Sequence, residues 1–116
     1  VVDDEKSTNT LTSDYLRLAG FTVVSCFDGE SALETLKADA AFDAIVLDHR
    51  MPGMSGLEVR EALQKDPRTG AIPVILLSAS ISPNRPEAVA GTAAVMTKPF
   101  SPKDLVAAIR RIVPGP

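Results

Sequence analysis

Short runs of almost unbroken apolar residues constrain this chain more than any other feature. Residues 21–26, 44–47, 72–77 and 93–97 are too short to make stable helices by themselves. They are apolar nearly throughout, not at every second position. A strand with one face in water alternates polar and apolar side chains. An unbroken run is what a strand buried on both faces requires. Val1 and Val2 read as the end of one more strand, the first in chain order.

Stretches of helical period separate these runs. Residues 6–19 read as a helix, with Leu11, Tyr15 and Leu18 on one face at i, i+4 and i+7, and Gly20 stopping it. Asp28 caps a helix carrying Leu33, Leu36 and Ala40. Ser55 and Glu58 form a capping box that opens a helix to about Lys65. Ser101, Pro102 and Asp104 combine a cap, a proline in the first turn and an acid near the positive helix end. Leu105, Ala108, Ile109 and Ile112 then follow on one face. Strands alternating with helices predict an α/β fold, a doubly wound parallel sheet of five strands with helices on both faces. Right-handed crossovers place the C-terminal strand ends along one edge, where such sheets bind ligands.

The length of 116 residues suits one domain, expected over 1–113, with 114–116 a tail or the start of a linker. A net charge of −3 argues against direct nucleic-acid contact or an anionic membrane as the main partner. Cys26 has no second cysteine to pair with and reads as a small buried hydrophobe. The sequence shows no secretory signal pattern and no run long enough for membrane insertion, so a cytoplasmic location is expected. The chain starts at Val1, without Met and almost inside its first motif, as a trimmed end would.

Several reactive groups stand at or just past predicted strand ends. Asp3 and Asp4 follow the first strand, Asp48 the third, Ser78 and Ala79 the fourth, and Lys98 the fifth. Carboxylates about 4 Å apart repel by about 4 kcal/mol per pair at an effective dielectric of 20. A cation must offset that. Oxygen-only ligands suit Mg²⁺, whereas the lone His49 and lone Cys26 cannot build a zinc site. A carboxylate beside a metal is a competent nucleophile towards phosphorus. Lys98 and Mg²⁺ could neutralise phosphoryl oxygens, the Ser78 hydroxyl could donate to one, and Ala79 would leave them room. Each acid taken singly is more often a turn former or helix cap. Their combination across four strands is harder to explain that way.

The segments "VVDDE", "DAIVLDHRMPGMSGLE", "IPVILLSAS" and "TKPF" occur in this order and span nearly the whole chain. Together they resemble the receiver domain of two-component response regulators. The resemblance implies a flavodoxin-like (βα)5 fold with strand order 2-1-3-4-5. It implies that Asp48 accepts a phosphoryl group from a phosphohistidine of a sensor histidine kinase or histidine phosphotransfer protein. Asp4 and Asp48 would bind Mg²⁺ directly with the backbone carbonyl of Arg50, and Asp3 would assist, mainly through water. Lys98 would contact the phosphoryl group, and Ser78 would move towards it. Lys98–Pro99 would be a cis peptide, and the Pro52–Gly53 turn would shape the loop after Asp48. A downstream protein or an attached output domain would read the switched surface, and a homodimer is compatible with this. Catalysis would extend only to the domain's own phosphorylation and dephosphorylation, so the chain is not expected to be a turnover enzyme.

Two departures from the family pattern stand out. Val95 occupies the position, three before the lysine, where receivers usually carry Tyr or Phe. The segment from Ser78 to Lys98 is short and contains Pro83 and Pro86, which predicts a short, late helix starting near Arg85 or Pro86, or a disordered segment. Both features lean towards the alternative of a non-phosphorylated pseudo-receiver that serves only as an interaction module, and they direct output to another face, such as the first helix. The intact set Asp3, Asp4, Asp48, Ser78 and Lys98 argues against that alternative. An aspartyl phosphatase of the haloacid-dehalogenase kind would want Asp-x-Asp after its first strand, which "VVDDEKST" lacks. Arg50 and Ser80, each two positions past a site residue, would tune phosphoryl lifetime at the mouth. Strand alternation turns His49 away from the Asp48 side. Met51 and Met54 read as packing residues, and Arg110 and Arg111 as a solvated helix end.

Overall fold

The computed structural model describes residues 1–39, 41–49, 53–78, 94–97 and 101–113, without the side chains of Ser78, Ala94, Val95 and Thr97. In chain order its elements are α1 (Lys6–Leu18), α2 (Gly29–Ala38), β1 (Ile45–Asp48), α3 (Gly56–Gln64), α4 (Pro67–Gly70), β2 (Val74–Ser78), β3 (Ala94–Thr97) and α5 (Pro102–Ile112). The strands form a parallel sheet in the order β1-β2-β3. Ile45 pairs with Val74, and Ile75 with Ala94.

The sequence predicts five strands, and the described sheet has three. The expected first and second strands are present only as isolated parallel bridges, from Val2 to Cys26 and from Val2 to Leu47. Hydrogen bonds hold this margin: the Val2 amide donates to the Val46 carbonyl at 2.8 Å, and the Asp48 amide to the Val2 carbonyl at 2.9 Å. On its other side the Cys26 amide donates to the Val1 carbonyl at 2.8 Å.

Both sheet faces are covered, as unbroken apolar strands require. Ile45, Leu47, Val74 and Leu76 face a cluster with Ala32 and Leu36 of α2 and Val59 and Leu63 of α3. Val46, Ile75 and Leu77 face the opposite layer, Leu16 of α1 with Leu105, Val106 and Ile109 of α5. Leu47, Ile75 and Leu76 are fully buried, each stabilising the fold by roughly 1.5–3 kcal/mol relative to exposure. Cys26 is buried in the first cluster, as its apolar surroundings predict.

The helix boundaries follow local chemistry. The Asp28 carboxylate accepts from the Ser31 amide at 2.7 Å. Ser55 and Glu58 complete the capping box, each accepting from the other's backbone amide at 3.3 Å. The Ser101 hydroxyl accepts from the Asp104 amide at 3.1 Å. α1 ends in a Schellman turn. Gly20, at φ +103°, donates to Arg17, and Phe21 donates back to Leu16. The short α4 has no counterpart in the sequence reading, although Asp66 and Pro67 carry its signal. The Asp66 carboxylate caps it by accepting from the Arg68 amide at 2.9 Å.

α1 holds the clearest departure from periodicity. Leu11 and Leu18 are 72% and 87% exposed, so the face they share with Tyr15 looks into solvent. Asn9, Ser13 and Leu16 are buried instead. Leu16 seats in the α5 layer, and the Asn9 side chain donates to backbone carbonyls at the sheet edge. Those polar contacts set the rotation of the helix against its apolar stripe. The helix expected between Ser78 and Lys98 lies outside the described residues.

Candidate functional site

The site begins where the Val2 margin and β1 end side by side. Because Val2 lies in parallel register with Leu47, the next residues outward, Asp3 and Asp48, emerge at the same sheet edge. Asp4 follows one position later. Carboxylate oxygens of Asp3, Asp4 and Asp48 all lie within 4.8 Å of one another. Asp3 and Asp48 are buried, at 3% and 5% exposure, while Asp4 is exposed. One Asp3 oxygen accepts from the Glu5 amide at 3.0 Å, turning the chain towards α1.

The other side of the site is set by the approach of α3. The Gly56 amide donates to the His49 carbonyl at 2.7 Å. A Cβ on Gly56 would stand 2.6 Å from the Asp48 carbonyl oxygen and 2.8 Å from the His49 Cα. Glycine is therefore the residue that lets the helix N-terminus close over the end of β1. Gly53 makes the preceding turn at φ +81°. Met54 packs against the core and next to Gly29, a packing role as expected.

Three oxygen donors at this range form a hard, anionic site open on the Asp4 side. They fit a small divalent cation such as Mg²⁺, whose charge offsets their repulsion while water completes its coordination. Among the described residues this is the one group of three or more potential metal-binding side chains so placed. A cavity of about 710 Å³ lies elsewhere, lined by Val1, Phe21, Phe42, Ala44 and Val113, and none of the three aspartates lines it. Chemistry on a small, charged group needs the open rim, not that apolar hollow.

The other sequence-derived site residues are placed less fully. Ser78 ends β2 and pairs with Thr97, the last residue of β3, so the two strands finish level. Val95 pairs with Leu76 inside the sheet. Arg50, Ala79, Ser80, Lys98 and the Lys98–Pro99 bond lie outside the described residues, as do Met51 and Pro52. His49 does not join the converging oxygens. Its amide donates to the Leu77 carbonyl at 2.9 Å, and its buried Nδ1 has no hydrogen-bond partner among the described residues. Two residues at the site escaped the sequence reading, Gly56 and Asn9. The glycine directly after the Ser55 cap was a visible signal for the first; a polar residue in the α1 pattern was the only signal for the second.

Comparison with known proteins agrees with this geometry. The family model described as "Response regulator receiver domain" matches residues 1–110. The transcriptional regulatory protein CpxR of Escherichia coli is 36% identical over 115 residues, covering 97% of this chain and 47% of that protein. The phosphate regulon transcriptional regulatory protein PhoB of Pseudomonas aeruginosa is 32% identical, covering 97% of this chain and 50% of its own length. The chain thus spans about half the length of these curated relatives. The solved structure of the chemotaxis response regulator CheY4 of Vibrio cholerae superimposes with a TM-score of 0.86 at 32% identity, over 96% of this chain and 93% of that one. Two of these relatives are transcriptional regulators by name. The acidic charge of this chain therefore does not support the expectation that the whole protein makes no direct nucleic-acid contact. No helix among the described residues is long and apolar enough to cross a membrane.

Proposed function

Since this chain belongs to the response regulator receiver family, a family of signalling domains that switch by phosphorylation, we propose that Asp48 is its phosphoacceptor. The observation that carries this reading is the convergence of Asp3, Asp4 and Asp48 within 4.8 Å at the sheet edge. An Asp48 carboxylate oxygen attacks phosphorus as the P–N bond of a donor phosphohistidine breaks, and the leaving imidazole nitrogen keeps the bond's electron pair. Asp3, Asp4 and Asp48, with the Arg50 carbonyl, would hold Mg²⁺, which would supply charge neutralisation when bound. Lys98 pairs with the phosphoryl oxygens, Ser78 donates to one, and Ala79 leaves space for them. Arg50 and Ser80, each two positions past a site residue in the sequence, would tune phosphoryl lifetime. The domain catalyses its own phosphorylation and dephosphorylation and turns over no other substrate.

The same reading takes residues 1–113 as the receiver and 114–116 as tail or linker. It extends the sheet to the order 2-1-3-4-5, with the Val2 and Cys26 bridges as the visible parts of the two further strands. A sensor kinase or histidine phosphotransfer protein in the cytoplasm donates the phosphoryl group. An attached output domain or a separate protein reads the result, and the relatives named transcriptional regulators point to a transcriptional output. With Val95 in place of an aromatic switch, coupling runs through Ser78. The exposed α1 face of Leu11, Tyr15 and Leu18 offers protein partners an apolar contact surface. A homodimer is a further means of output.

Intact mass after incubation with Mg²⁺ and a small acyl-phosphate donor tests the reading. One base-labile phosphoryl adduct is expected, absent from Asp48→Asn and absent with chelator. An adduct that persists in Asp48→Asn would overturn the assignment of the acceptor. The pseudo-receiver alternative finds no support, because Asp3, Asp4 and Asp48 converge and the family switches by phosphorylation.

A further inference from the structure

We infer that Asn9 is a positioning residue for the acidic cluster: its buried amide ties down the turn carrying Asp3 and Asp4 and thereby sets the metal affinity of the site. The inference rests on the receiver reading above. Asn9 is fully buried on α1, at 0% exposure. Its Nδ2 donates to the Asp3 carbonyl at 2.9 Å and to the Cys26 carbonyl at 2.8 Å. Its Oδ1 accepts from the Ser13 hydroxyl at 3.1 Å, and the Ser13 and Ser25 hydroxyls are 2.7 Å apart. Both amide hydrogens and the amide oxygen are engaged, which leaves one orientation. With Oδ1 turned inward it would face two carbonyl oxygens.

The placement is costly unless it does something. Burying an amide requires that all its hydrogen bonds be made, and α1 carries Leu11 and Leu18 that could have faced inward instead. The two carbonyls that Asn9 holds belong to chain segments flanking one another at the sheet edge, where the Asp3 amide also donates to Cys26 at 3.1 Å. Asp3 is a candidate ligand and Asp4 follows it directly. Three carboxylates within 4.8 Å push one another apart before a cation arrives. Asp3 and Asp4 sit on the turn that follows Val2, and the Asn9 amide holds the Asp3 carbonyl of that turn from behind. Folding then bears the cost of assembling the ligands, and the cation finds them in place.

Mg²⁺ titration by calorimetry, with urea unfolding of each metal-free protein, tests the inference on the wild-type chain, Asn9→Leu, Ser13→Ala and Ile72→Val. The last is a buried control near the N-terminal end of β2, away from the cluster. Asn9→Leu keeps the branched shape of the side chain, with methyl groups in place of the amide oxygen and nitrogen, and removes the donors. It is expected to weaken Mg²⁺ binding about tenfold or more, the loss typical of supporting groups behind metal ligands. Ser13→Ala leaves both donors in place and removes only the bond to Oδ1, so a smaller loss is expected. The control is expected to lose stability without losing Mg²⁺ affinity. Equal affinity in Asn9→Leu and wild type overturns the assignment, as does a loss no greater than that of a control equally destabilised. If Asn9→Leu does not fold, Ser13→Ala decides: reduced affinity supports the role and unchanged affinity overturns it. A wild-type chain that binds no Mg²⁺ overturns the receiver reading itself, a distinguishable result.

Discussion

Gly56→Ala sets two effects of opposite sign against each other. Gly56 begins α3, and alanine is the better helix former by up to about 1 kcal/mol. Its φ is not positive, since among the described residues only Gly20 and Gly53 have that conformation. Backbone geometry therefore permits alanine, and propensity alone predicts a gain. Space forbids it. The added Cβ would lie 2.6 Å from the Asp48 carbonyl oxygen, 2.8 Å from the His49 Cα and 3.0 Å from Leu76 Cδ1. The first two are backbone atoms and cannot rotate away. The Gly56 amide bond to the His49 carbonyl, at 2.7 Å, resists separation as well. Overpacking of this kind costs about 1–3 kcal/mol, towards the upper end when backbone must move. A net loss of about 2 kcal/mol is expected. With a urea slope of about 1–3 kcal/mol per molar, the unfolding midpoint falls by about 0.7–2 M. A midpoint equal to or above wild type would show that α3 does not close on Asp48 as described. Because the same contact seats Asp48, the variant should also accept phosphoryl groups more slowly in the mass assay.

Three further outcomes follow from the same structure. Leu16→Ala should cost about 2–5 kcal/mol, whereas Leu18→Ala should stay within about 0.5 kcal/mol of wild type; similar losses at both positions, measured by urea unfolding, would contradict the rotation of α1. The Ser31 amide bonded to Asp28 holds that exposed carboxyl below its ordinary value. Its stabilisation is fully present above the unfolded pKa, about 3.9, and is lost as pH falls through the lower folded value. Asp28→Asn should therefore flatten the acid limb of the urea midpoint below about pH 4. Asp4→Asn should raise the thermal midpoint of the metal-free protein by relieving repulsion in the cluster. It should also reduce the increase that Mg²⁺ produces, and a lower metal-free midpoint would contradict the repulsion.

Much of this fold was legible because the decisive signals are local. The unbroken apolar runs ending at Asp48 and Ser78 announce strands covered on both faces, and Ile45–Leu47 and Ile75–Leu77 are buried on both. Ser55 with Glu58, Asp28, Gly20 and Ser101 each act within a few residues of themselves, so their caps and turns needed no tertiary information. The acidic cluster was legible for a different reason. Parallel topology sends every strand's C-terminal end to one edge, so charged residues placed there must meet.

Other features depended on contacts distant in sequence. Helical period assigned Leu11, Tyr15 and Leu18 a common face but could not say that it points outward. That was decided by the seat of Leu16 against α5 and by the Asn9 bonds to Asp3 and Cys26, the latter 17 residues away. The need for glycine at position 56 likewise arises only when α3 folds back onto Asp48. The sequence by itself determined the strands β1, β2 and β3, the helices α1, α2, α3 and α5, most of the helix caps, and that three aspartates belong to one edge. Periodicity and capping depend on neighbours along the chain. Only the tertiary structure decided the rotation of α1, the closeness of α3 and the buried amide behind Asp3. Those depend on which carbonyls and side chains a helix meets after the sheet has formed.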